Sequence, residues 1–294
     1  MSTTAQSSLL RFDASEEGLV TLTIDAGDQA LVILNRELLG RLDATLAAIE
    51  ARDDITGLIL RSASDRVFVA GADLTEIDSL DDQALHAYLA YGTTVFARLA
   101  NLPCPSVAVI NGAVLGGGLE LAMHCDGLVL SEHGSNGKPY QVGLPEAGLG
   151  LCPGWGGTQT LPARIDPTTA FAAAATGTTF KSDALPEGLA DTLVKTPAEL
   201  FEAAEAFLAA RNSPAALRCI GPQDADRVAP ALASAIDQVE HTEAAGAVFA
   251  AAETGLGEGW AAAVAMEQCE LVRLRSTETA RQRLAAFFAR NRTS

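Results

Sequence analysis

Two glutamates lie among glycines and apolar residues rather than in a charged stretch. Glu120 follows the glycine triplet 116–118 at a predicted helix start, and Glu146 lies in a Gly/Pro-rich loop before a second helix start at 156–157. Unlike surroundings push the pKa values of two carboxyl groups apart, so that one accepts a proton while the other donates one. The alternative is that Glu120 stabilises a helix N-terminus and Glu146 is a surface residue. Spacing alone does not decide between them.

Two glycine-containing loops precede predicted helices. One loop is 69–74, with the sequence VAGADL, and the other is 116–118. Small residues allow close backbone approach there, and the first N–H groups of a helix have no partner within the helix. Two such groups that converge on one oxygen would form an oxyanion hole. The alternative is a pair of ordinary strand-to-helix turns.

Several other functional motifs are excluded or disfavoured. The Gly148-Leu149-Gly150 run has Pro153 where a dinucleotide motif requires its third glycine, and neither GxxxxGK[ST] nor GxSxG occurs. A cluster of possible metal ligands lacks any standard spacing, so we predict packed or surface roles for its members, which are His124, Cys125, Asp126 and His133. Trp155 either walls a pocket or packs in the core.

Alternating strands and helices surround these residues. The residue patterns predict strands at 18–25, 55–61, 105–110 and 127–131, and helices after Asn35, at 81–102 and at Glu120. This alternation indicates an α/β architecture.

The composition changes after residue 157. Residues 167–211 are rich in alanine and predicted to be mostly helical, and two helices at 223–252 and 258–290 are predicted to be joined by 254–259. Residues 1–17 are predicted to be a frayed lead-in. We therefore divide the chain into a core at 1–210 and a C-terminal helical assembly or lid region at 211–294.

Charge and composition limit the class of protein. The 294 residues carry 20 basic and 37 acidic side chains, a formal charge of −17, which disfavours nucleic acid as a partner. The five cysteines form no CxxC pair and are typical of reduced thiols in a cytosolic protein. No apolar run is long enough for a membrane span and no secretory signal is evident, so we expect a cytoplasmic protein without a membrane partner.

Three long motifs resemble the crotonase, or enoyl-CoA hydratase/isomerase, superfamily. They are VFVAGADLTEI at 67–77, AVINGAVLGGGLELAMHCD at 108–126 and VGLPEAGLGLCPGWGGTQTLPARI at 142–165. Their wording is most similar to the hydratase domains of multifunctional fatty-acid oxidation enzymes. The resemblance implies an α/β fold of crotonase type, a spiral of repeated ββα units with a C-terminal helical appendage. It also implies a homotrimer or a dimer of trimers.

The resemblance implies an acyl-CoA thioester as the substrate. The thioester oxygen would lie between the amides of Ala72 and Gly117, Glu120 would deprotonate the attacking water, and Glu146 would protonate the α carbon. The amide of Gly154 would help to place the water. No metal or redox cofactor is implied, because coenzyme A enters as part of the substrate.

The implied coenzyme A contacts include one departure from the family pattern. Thr75 stands where many members have a lysine near the phosphates, and Arg290 and Arg292 are candidates to supply that charge, although solvated helix cations are the alternative. The early motif at 29–35 also differs from the usual Asn-Ala-Leu-Asn run. The other implied coenzyme A contacts are Ala70, Ala72, Asp73 and Leu74.

Several functions are compatible with these residues. We expect a 2-enoyl-CoA hydratase of fatty-acid breakdown, because both carboxylates are present. One alternative is a Δ3,Δ2-enoyl-CoA isomerase, for which Glu146 alone would suffice for proton shuttling, and another is a different acyl-CoA-modifying crotonase, since family members with both carboxylates have other acyl-CoA activities. A non-catalytic acyl-CoA-binding protein is a further alternative.

Overall fold

Two sheets and a set of helices form the protein. A computed structural model of the chain describes residues 10–26 and 31–291. The larger sheet has six strands in the order β1-β2-β3-β5-β7-β10, all parallel except the β1–β2 pair. In that order the strands are Leu10–Ala14, Leu19–Ile24, Gly57–Ser62, Ser106–Ile110, Gly127–Ser131 and Thr192–Val194.

The smaller sheet has four strands. Its order is β4-β6-β8-β9, with β8 and β9 antiparallel. Each of β3, β5 and β7 in the large sheet is followed by a strand of the small sheet and then by helix, which is the ββα repeat that the family resemblance implies. The strands of the small sheet are Val67–Val69, Ala113–Leu115, Gln141–Gly143 and Thr179–Lys181.

Eleven α-helices are described. Asn35 begins α1, because its Oδ1 accepts a hydrogen bond from Leu38 N at 2.8 Å, and the buried Leu42 and Leu46 follow at helical spacing. The helices α1 to α11 are Arg36–Glu50, Leu74–Ser79, Asp82–Ala100, Gly117–Met123, Gly157–Thr160, Pro167–Thr176, Leu200–Ala209, Ala225–Gln238, Glu243–Glu258, Trp260–Leu274 and Glu278–Asn291.

The central strands separate two hydrophobic clusters. All residues of β5 and β7 are buried, and successive side chains point to opposite faces. Ala108 and Ile110 join the main core, whereas Val107 and Val109 pack with residues of α7 on the other face. The main core also contains residues of α9, α10 and α11, so the C-terminal helices share it with the spiral.

Two predictions about local structure are wrong. Residues 10–14 pair with β2 as an edge strand rather than fraying, whereas residues 1–9 lie outside the described part. The segment 254–258 continues α9 instead of linking two helices, and α9 ends at Gly259, which has φ of 90°. Thr242 and Thr277 begin new helices instead, because their hydroxyls accept hydrogen bonds from the amides three residues later.

The alanine-rich segment 167–211 also contains strand structure. Two helices, α6 and α7, are present as predicted, but β9 occupies 179–181 and β10 occupies 192–194. Both strands have three residues, which is too short for alternation to be recognised in sequence.

Candidate active site

A largely apolar cavity of about 350 Å³ is lined by residues from separate parts of the chain. The β4–α2 loop, the start of α4, the segment 145–155 and helices α10 and α11 all contribute to its wall. The acidic side chains of the lining belong to Asp73, Glu120 and Glu146, and no lysine, arginine or histidine among the described residues lines it. Such a wall fits an apolar chain with a few polar groups at one point.

The amides of Ala72 and Gly117 lie close together in this wall. Ala72 N is 3.4 Å from the point that a Cβ on Gly117 would occupy. Neither amide donates a hydrogen bond within residues 10–26 and 31–291. Asp73 fixes the first loop by capping α2, since its Oδ1 accepts from Thr75 N at 2.9 Å, and Gly117 is the first residue of α4. Two unpartnered N–H groups at adjacent helix starts suit a developing oxyanion.

Close approach explains the glycine at 117. A Cβ there would lie 2.4 Å from the ring of Trp155. The Trp155 ring is buried, lines the cavity and donates from Nε1 to Leu89 O at 2.9 Å. Trp155 therefore both packs in the core and walls the pocket, which resolves the question that its sequence context leaves open.

Glu120 is almost completely buried and is held by backbone amides. Its Oε1 accepts hydrogen bonds from Trp155 N and Gly157 N, both at 2.8 Å. Burial raises the pKa of Glu120 well above its usual value, and the charges of Glu267 and Glu146 raise it further, whereas the two amides oppose that rise. The position of this carboxyl group is thus fixed by two donors.

Glu146 begins a 3₁₀ turn, Glu146–Leu149, and its carboxyl group faces the glycine triplet. Its Oε1 is 2.7 Å from the point that a Cβ on Gly116 would occupy, and its Oε2 is buried with no hydrogen-bond partner among the described residues. Burial raises the pKa of Glu146 to about 8, with a contribution from the charge of Glu267. This carboxyl group therefore retains its proton at neutral pH.

The sequence of the chain matches a known family across this site. The Enoyl-CoA hydratase/isomerase family model matches residues 15–243. The chain belongs to the enoyl-CoA hydratase/isomerase family. It is accordingly an enzyme of that family, as its motifs predict.

Curated relatives of this enoyl-CoA hydratase/isomerase family member are much longer proteins. The fatty acid oxidation complex subunit alpha of Shewanella halifaxensis (strain HAW-EB4) is 39% identical over 199 residues, which are 67% of this chain and 28% of that protein. The protein of the same name from Shewanella baltica (strain OS185) is 37% identical over 201 residues, 68% of this chain and 28% of that protein. The chain thus spans about 28% of the length of these relatives.

Solved structures of the family share the fold. Human mitochondrial delta3-delta2-enoyl-CoA isomerase matches with a TM-score of 0.70 and 23% identity, covering 97% of this chain and 99% of that one. Enoyl-CoA hydratase from Bacillus halodurans matches with a TM-score of 0.68 and 21% identity, covering 95% and 100%. The predicted crotonase-type α/β fold with C-terminal helices is confirmed.

The structure brings most of the predicted site residues of this family member together. Glu120, Glu146, Gly117 and Gly154 line the cavity, as do four residues of the 69–74 loop, Ala70, Ala72, Asp73 and Leu74. Thr75 lines it too. Arg290 does not line the cavity, although its helix α11 contributes two phenylalanines to the wall, and Arg292 lies outside the described residues.

In this enoyl-CoA hydratase/isomerase family member, the side chains of His124 and Asp126 contact other protein groups. His124 Nδ1 lies 2.8 Å from Glu120 O, its ring packs edge-on against two aromatic rings, and burial lowers its pKa to about 4. Asp126 accepts from Ser106 N at 2.6 Å. No group of three potential ligands comes together within the described residues. No described helix is long and apolar enough to cross a bilayer.

One buried carboxylate near the site was missed. Glu267 of α10 is completely buried and contacts the segment that holds Glu120. A signal exists in the sequence, because Glu267 falls between Val264 and Leu271 at the spacing of the helix's buried face. A charged residue on a helix is ordinarily assigned to solvent, so this spacing alone does not identify Glu267 as buried.

Proposed function

We propose that this chain is an enoyl-CoA hydratase that adds water across the 2,3 double bond of a 2-enoyl-CoA thioester. The observation that carries the proposal is that two carboxyl groups and two unpartnered amides line one apolar cavity. Coenzyme A is part of the substrate and no further cofactor is required. The acyl chain occupies the apolar part of the cavity.

The thioester oxygen is polarised by the amides of Ala72 and Gly117. As water adds to the β carbon, negative charge develops on that oxygen, and preorganised N–H donors stabilise it more than they stabilise the ground state. Loss of one such donor costs about 10²- to 10³-fold in rate in comparable sites. The neighbouring helix start adds to the positive potential at Gly117.

The two glutamates have different roles because their hydrogen bonds differ. Two N–H donors hold Glu120 and oppose the rise of its pKa, and we assign its ionised form as the base that accepts a proton from water while the water oxygen bonds to the β carbon. Glu146 Oε2 has no donor among the described residues, and this carboxyl group supplies its proton to the α carbon. Glu120 ends protonated and Glu146 ends as a carboxylate. A proton passed from the first to the second, through solvent or product, restores the starting state.

The second candidate is a Δ3,Δ2-enoyl-CoA isomerase. The fully buried and unpartnered Oε2 of Glu146 favours it, since one carboxyl group could remove and return a proton at the α and γ carbons without water. In that case Glu120 would have no direct role in the reaction. The geometry of Glu120 favours the hydratase, because its carboxyl group also lines the cavity.

A spectrophotometric assay separates these functions. Hydration of crotonyl-CoA removes the absorbance of the conjugated thioester, and we expect Glu120→Gln to lower this rate by about 10²- to 10⁴-fold. Glu258→Gln, an exposed position of α9, is the control. Wild-type activity in Glu120→Gln would contradict the hydratase mechanism. Conversion of a 3-enoyl-CoA without hydration of its 2-enoyl product would establish the isomerase, and saturable binding without any turnover would establish a binding protein.

We propose further that the chain acts in the cytoplasm as a homotrimer or a dimer of trimers. The support for the assembly is the family membership, and the C-terminal helices of 211–294 are the proposed contact region. Sedimentation equilibrium of the purified protein would give the mass of the assembly directly.

A further inference from the structure

Four consecutive backbone amides are shared between two buried carboxylates. The amides of Trp155 and Gly157 donate to Glu120, whereas those of Gly156 and Thr158 donate to Glu267. The distances to Glu267 are 2.6 Å for Gly156 N to Oε2 and 2.9 Å for Thr158 N to Oε1. The segment 155–158 is therefore held from opposite sides, by α4 through Glu120 and by α10 through Glu267.

Further hydrogen bonds fix the side of segment 155–158 that faces α10. Thr158 Oγ1 donates to Glu267 Oε1 at 2.5 Å and accepts from Gln159 Nε2 at 2.8 Å. The next residue of α10, Gln268, donates to Gly154 O at 3.3 Å and to Thr93 Oγ1 of α3 at 2.8 Å. The backbone that presents two N–H groups to Glu120 is thereby fixed relative to both α3 and α10.

We propose that Glu267 is a positioning residue for the reaction: by holding the amides of Gly156 and Thr158, it aims the amides of Trp155 and Gly157 at Glu120. Rotating this short segment would misalign both sets of donors together, since the N–H groups alternate in direction. The assignment rests on the proposed role of Glu120. It also explains why a completely buried glutamate is present on an otherwise packed helix face, where burial without donors would be unfavourable.

The charge of Glu267 also affects the pKa values of the other two buried glutamates. The charge of Glu267 raises the pKa of Glu120 and of Glu146, after the larger effect of burial. Burial likewise raises the pKa of Glu267 to about 7, against the donors on Thr158 and Gly156. Among the described residues, the buried thiol of Cys152 also lies near these carboxylates, and its pKa is raised by burial and by the charges of Glu267, Glu146, Glu270 and Glu120. Neutralising Glu267 removes this repulsion from both carboxylates, but misaligned amides would raise the pKa of Glu120 again, so the titration of Glu146 is the one expected to move towards lower pH.

The test compares Glu267→Gln with wild type. Glutamine keeps the shape but places an NH₂ group against N–H or O–H donors, so one side of the segment loses its acceptor. We expect kcat to fall by about 10- to 100-fold with KM little changed, and the alkaline limb of the pH–rate profile, which belongs to Glu146, to move to lower pH. Glu253→Gln, an exposed position of α9, is the matched control. An unchanged rate would overturn the proposal, as would a loss explained by less folded enzyme with an unshifted profile.

Thr158 provides a milder variant should Glu267→Gln fail to fold. Thr158→Val removes one of the three donors to Glu267, and we expect a smaller loss of kcat and a profile displaced from that of wild type. Thr158→Ser keeps the hydroxyl and should restore most of the lost rate. Equal rates and identical profiles in valine and serine variants would overturn the positioning role.

A measurement without substrate separates this inference from the proposed function. In protein labelled with ¹³C at the glutamate carboxyl carbons, the signal of Glu146 is assigned by its loss in Glu146→Gln, and its titration is followed in wild type and in a Glu267 or Thr158 variant. A titration of Glu146 at lower pH in Glu267→Gln supports the coupling even when no 2-enoyl-CoA is hydrated, a result that would overturn only the hydratase. An unshifted titration overturns the coupling, whatever the activity of the wild-type enzyme.

Discussion

The carboxyl group of Glu146 occupies the space in which a side chain on Gly116 would begin. Glu146 Oε1 lies 2.7 Å from that point, and the remaining atoms of the carboxyl group lie within 3.8 Å of it. Gly116 also has φ of 53° and ψ of −129°, a conformation that residues with a Cβ rarely adopt. The glycine is therefore required twice, for the turn into α4 and for the placement of Glu146.

Substitution of Gly116 should lower the activity of the enzyme although both glutamates are retained. We expect Gly116→Ala to lower kcat on crotonyl-CoA by on the order of 10²-fold, because Glu146 must move away from the reacting carbon. Gly148→Ala is the matched control, since a Cβ at 148 would meet no atom within 4 Å. Equal activity of the two variants would show that Glu146 does not need its observed position.

Sequence patterns predict the long elements and the core of the spiral but not every short strand. The helix after Asn35 and the strands at 105–110 and 127–131 follow from capping and from continuous apolar runs. In β1, by contrast, Leu10 is the only buried residue, so the strand depends on pairing with β2 and has no periodicity of its own. Local preference cannot reveal an element whose stability comes from its neighbour.

The candidate site shows the same division between local and distant information. Local chemistry marks Glu120 and Glu146 as glutamates among glycines, but that they share one cavity follows in sequence only from the family resemblance. The loop 69–74 and the triplet 116–118 converge because β4 and β6 pair in the small sheet. Glu267 belongs to a helix far along the chain, and its contact with 156–158 depends on the packing of α10, which no local pattern specifies.

The pH dependence of hydration should show an alkaline limb near the pKa of Glu146. Burial raises that pKa to about 8, and the reaction requires the protonated form of this group. We therefore expect kcat/KM to fall as the pH rises through about 8, while deprotonation of Glu120 governs the acid limb. Rates on crotonyl-CoA between pH 5 and pH 10 at constant ionic strength measure both limbs. A rate that continues to rise well above pH 8 would contradict Glu146 as the proton donor.

Removing the same carboxyl group should stabilise the folded protein at alkaline pH. An exposed glutamate in the unfolded chain has a pKa of about 4.3, whereas the pKa of Glu146 in the folded protein is about 8. Between these values the folded state binds more protons than the unfolded state, so the free energy of unfolding falls as the pH rises. Glu146→Gln removes this loss, which is on the order of a few kcal/mol.

Thermal unfolding measures this effect. The difference in Tm between Glu146→Gln and wild type should be larger at pH 8.5 than at pH 5, roughly the two ends of the titration. Glu258→Gln, at the exposed end of α9, is the control and should follow the wild-type curve. A Tm difference that is the same at both pH values would contradict a raised pKa for Glu146.

A buried ion pair joins the third motif to the large sheet. Asp191 Oδ2 accepts from Arg164 Nη1 at 3.0 Å and from Leu128 N at 2.8 Å, and its Oδ1 accepts from Arg218 Nη2 at 2.6 Å. The side chain of Arg164 is completely buried. Burial opposes ionisation of Asp191, but Arg164, the amide of Leu128 and Arg218 together lower its pKa below the usual value.

Neutralising Asp191 should destabilise the fold at neutral pH. Asp191→Asn leaves Arg164 buried without a counter-charge, and we expect the free energy of unfolding in urea to fall by about 3–5 kcal/mol. Because the pKa of Asp191 is lowered by folding, its contribution is present above about pH 4 and is lost as the pH falls further. The matched control is Glu132→Gln, whose partner Lys195 is 74% exposed, and which should change stability by less than about 1 kcal/mol. Equal effects of the two substitutions would contradict a special contribution from the buried pair.

Arg290 of α11 is the candidate for binding the phosphates of coenzyme A. No basic side chain among the described residues lines the cavity, and Arg290 lies on α11, whose Phe287 and Phe288 do line it. If Arg290 contacts the phosphates of coenzyme A, Arg290→Ala should raise KM for crotonyl-CoA about two- to fivefold and leave kcat unchanged, as is typical of an exposed charge contact. The effect should weaken at high salt. Crotonyl-pantetheine, which carries no phosphate, should give the same KM with wild type and with Arg290→Ala.

Arg281→Ala is the control for this prediction. Arg281 is exposed and lies nine residues before Arg290, which places it on about the opposite face of α11. An equal rise in KM in Arg281→Ala would attribute the effect to net charge alone.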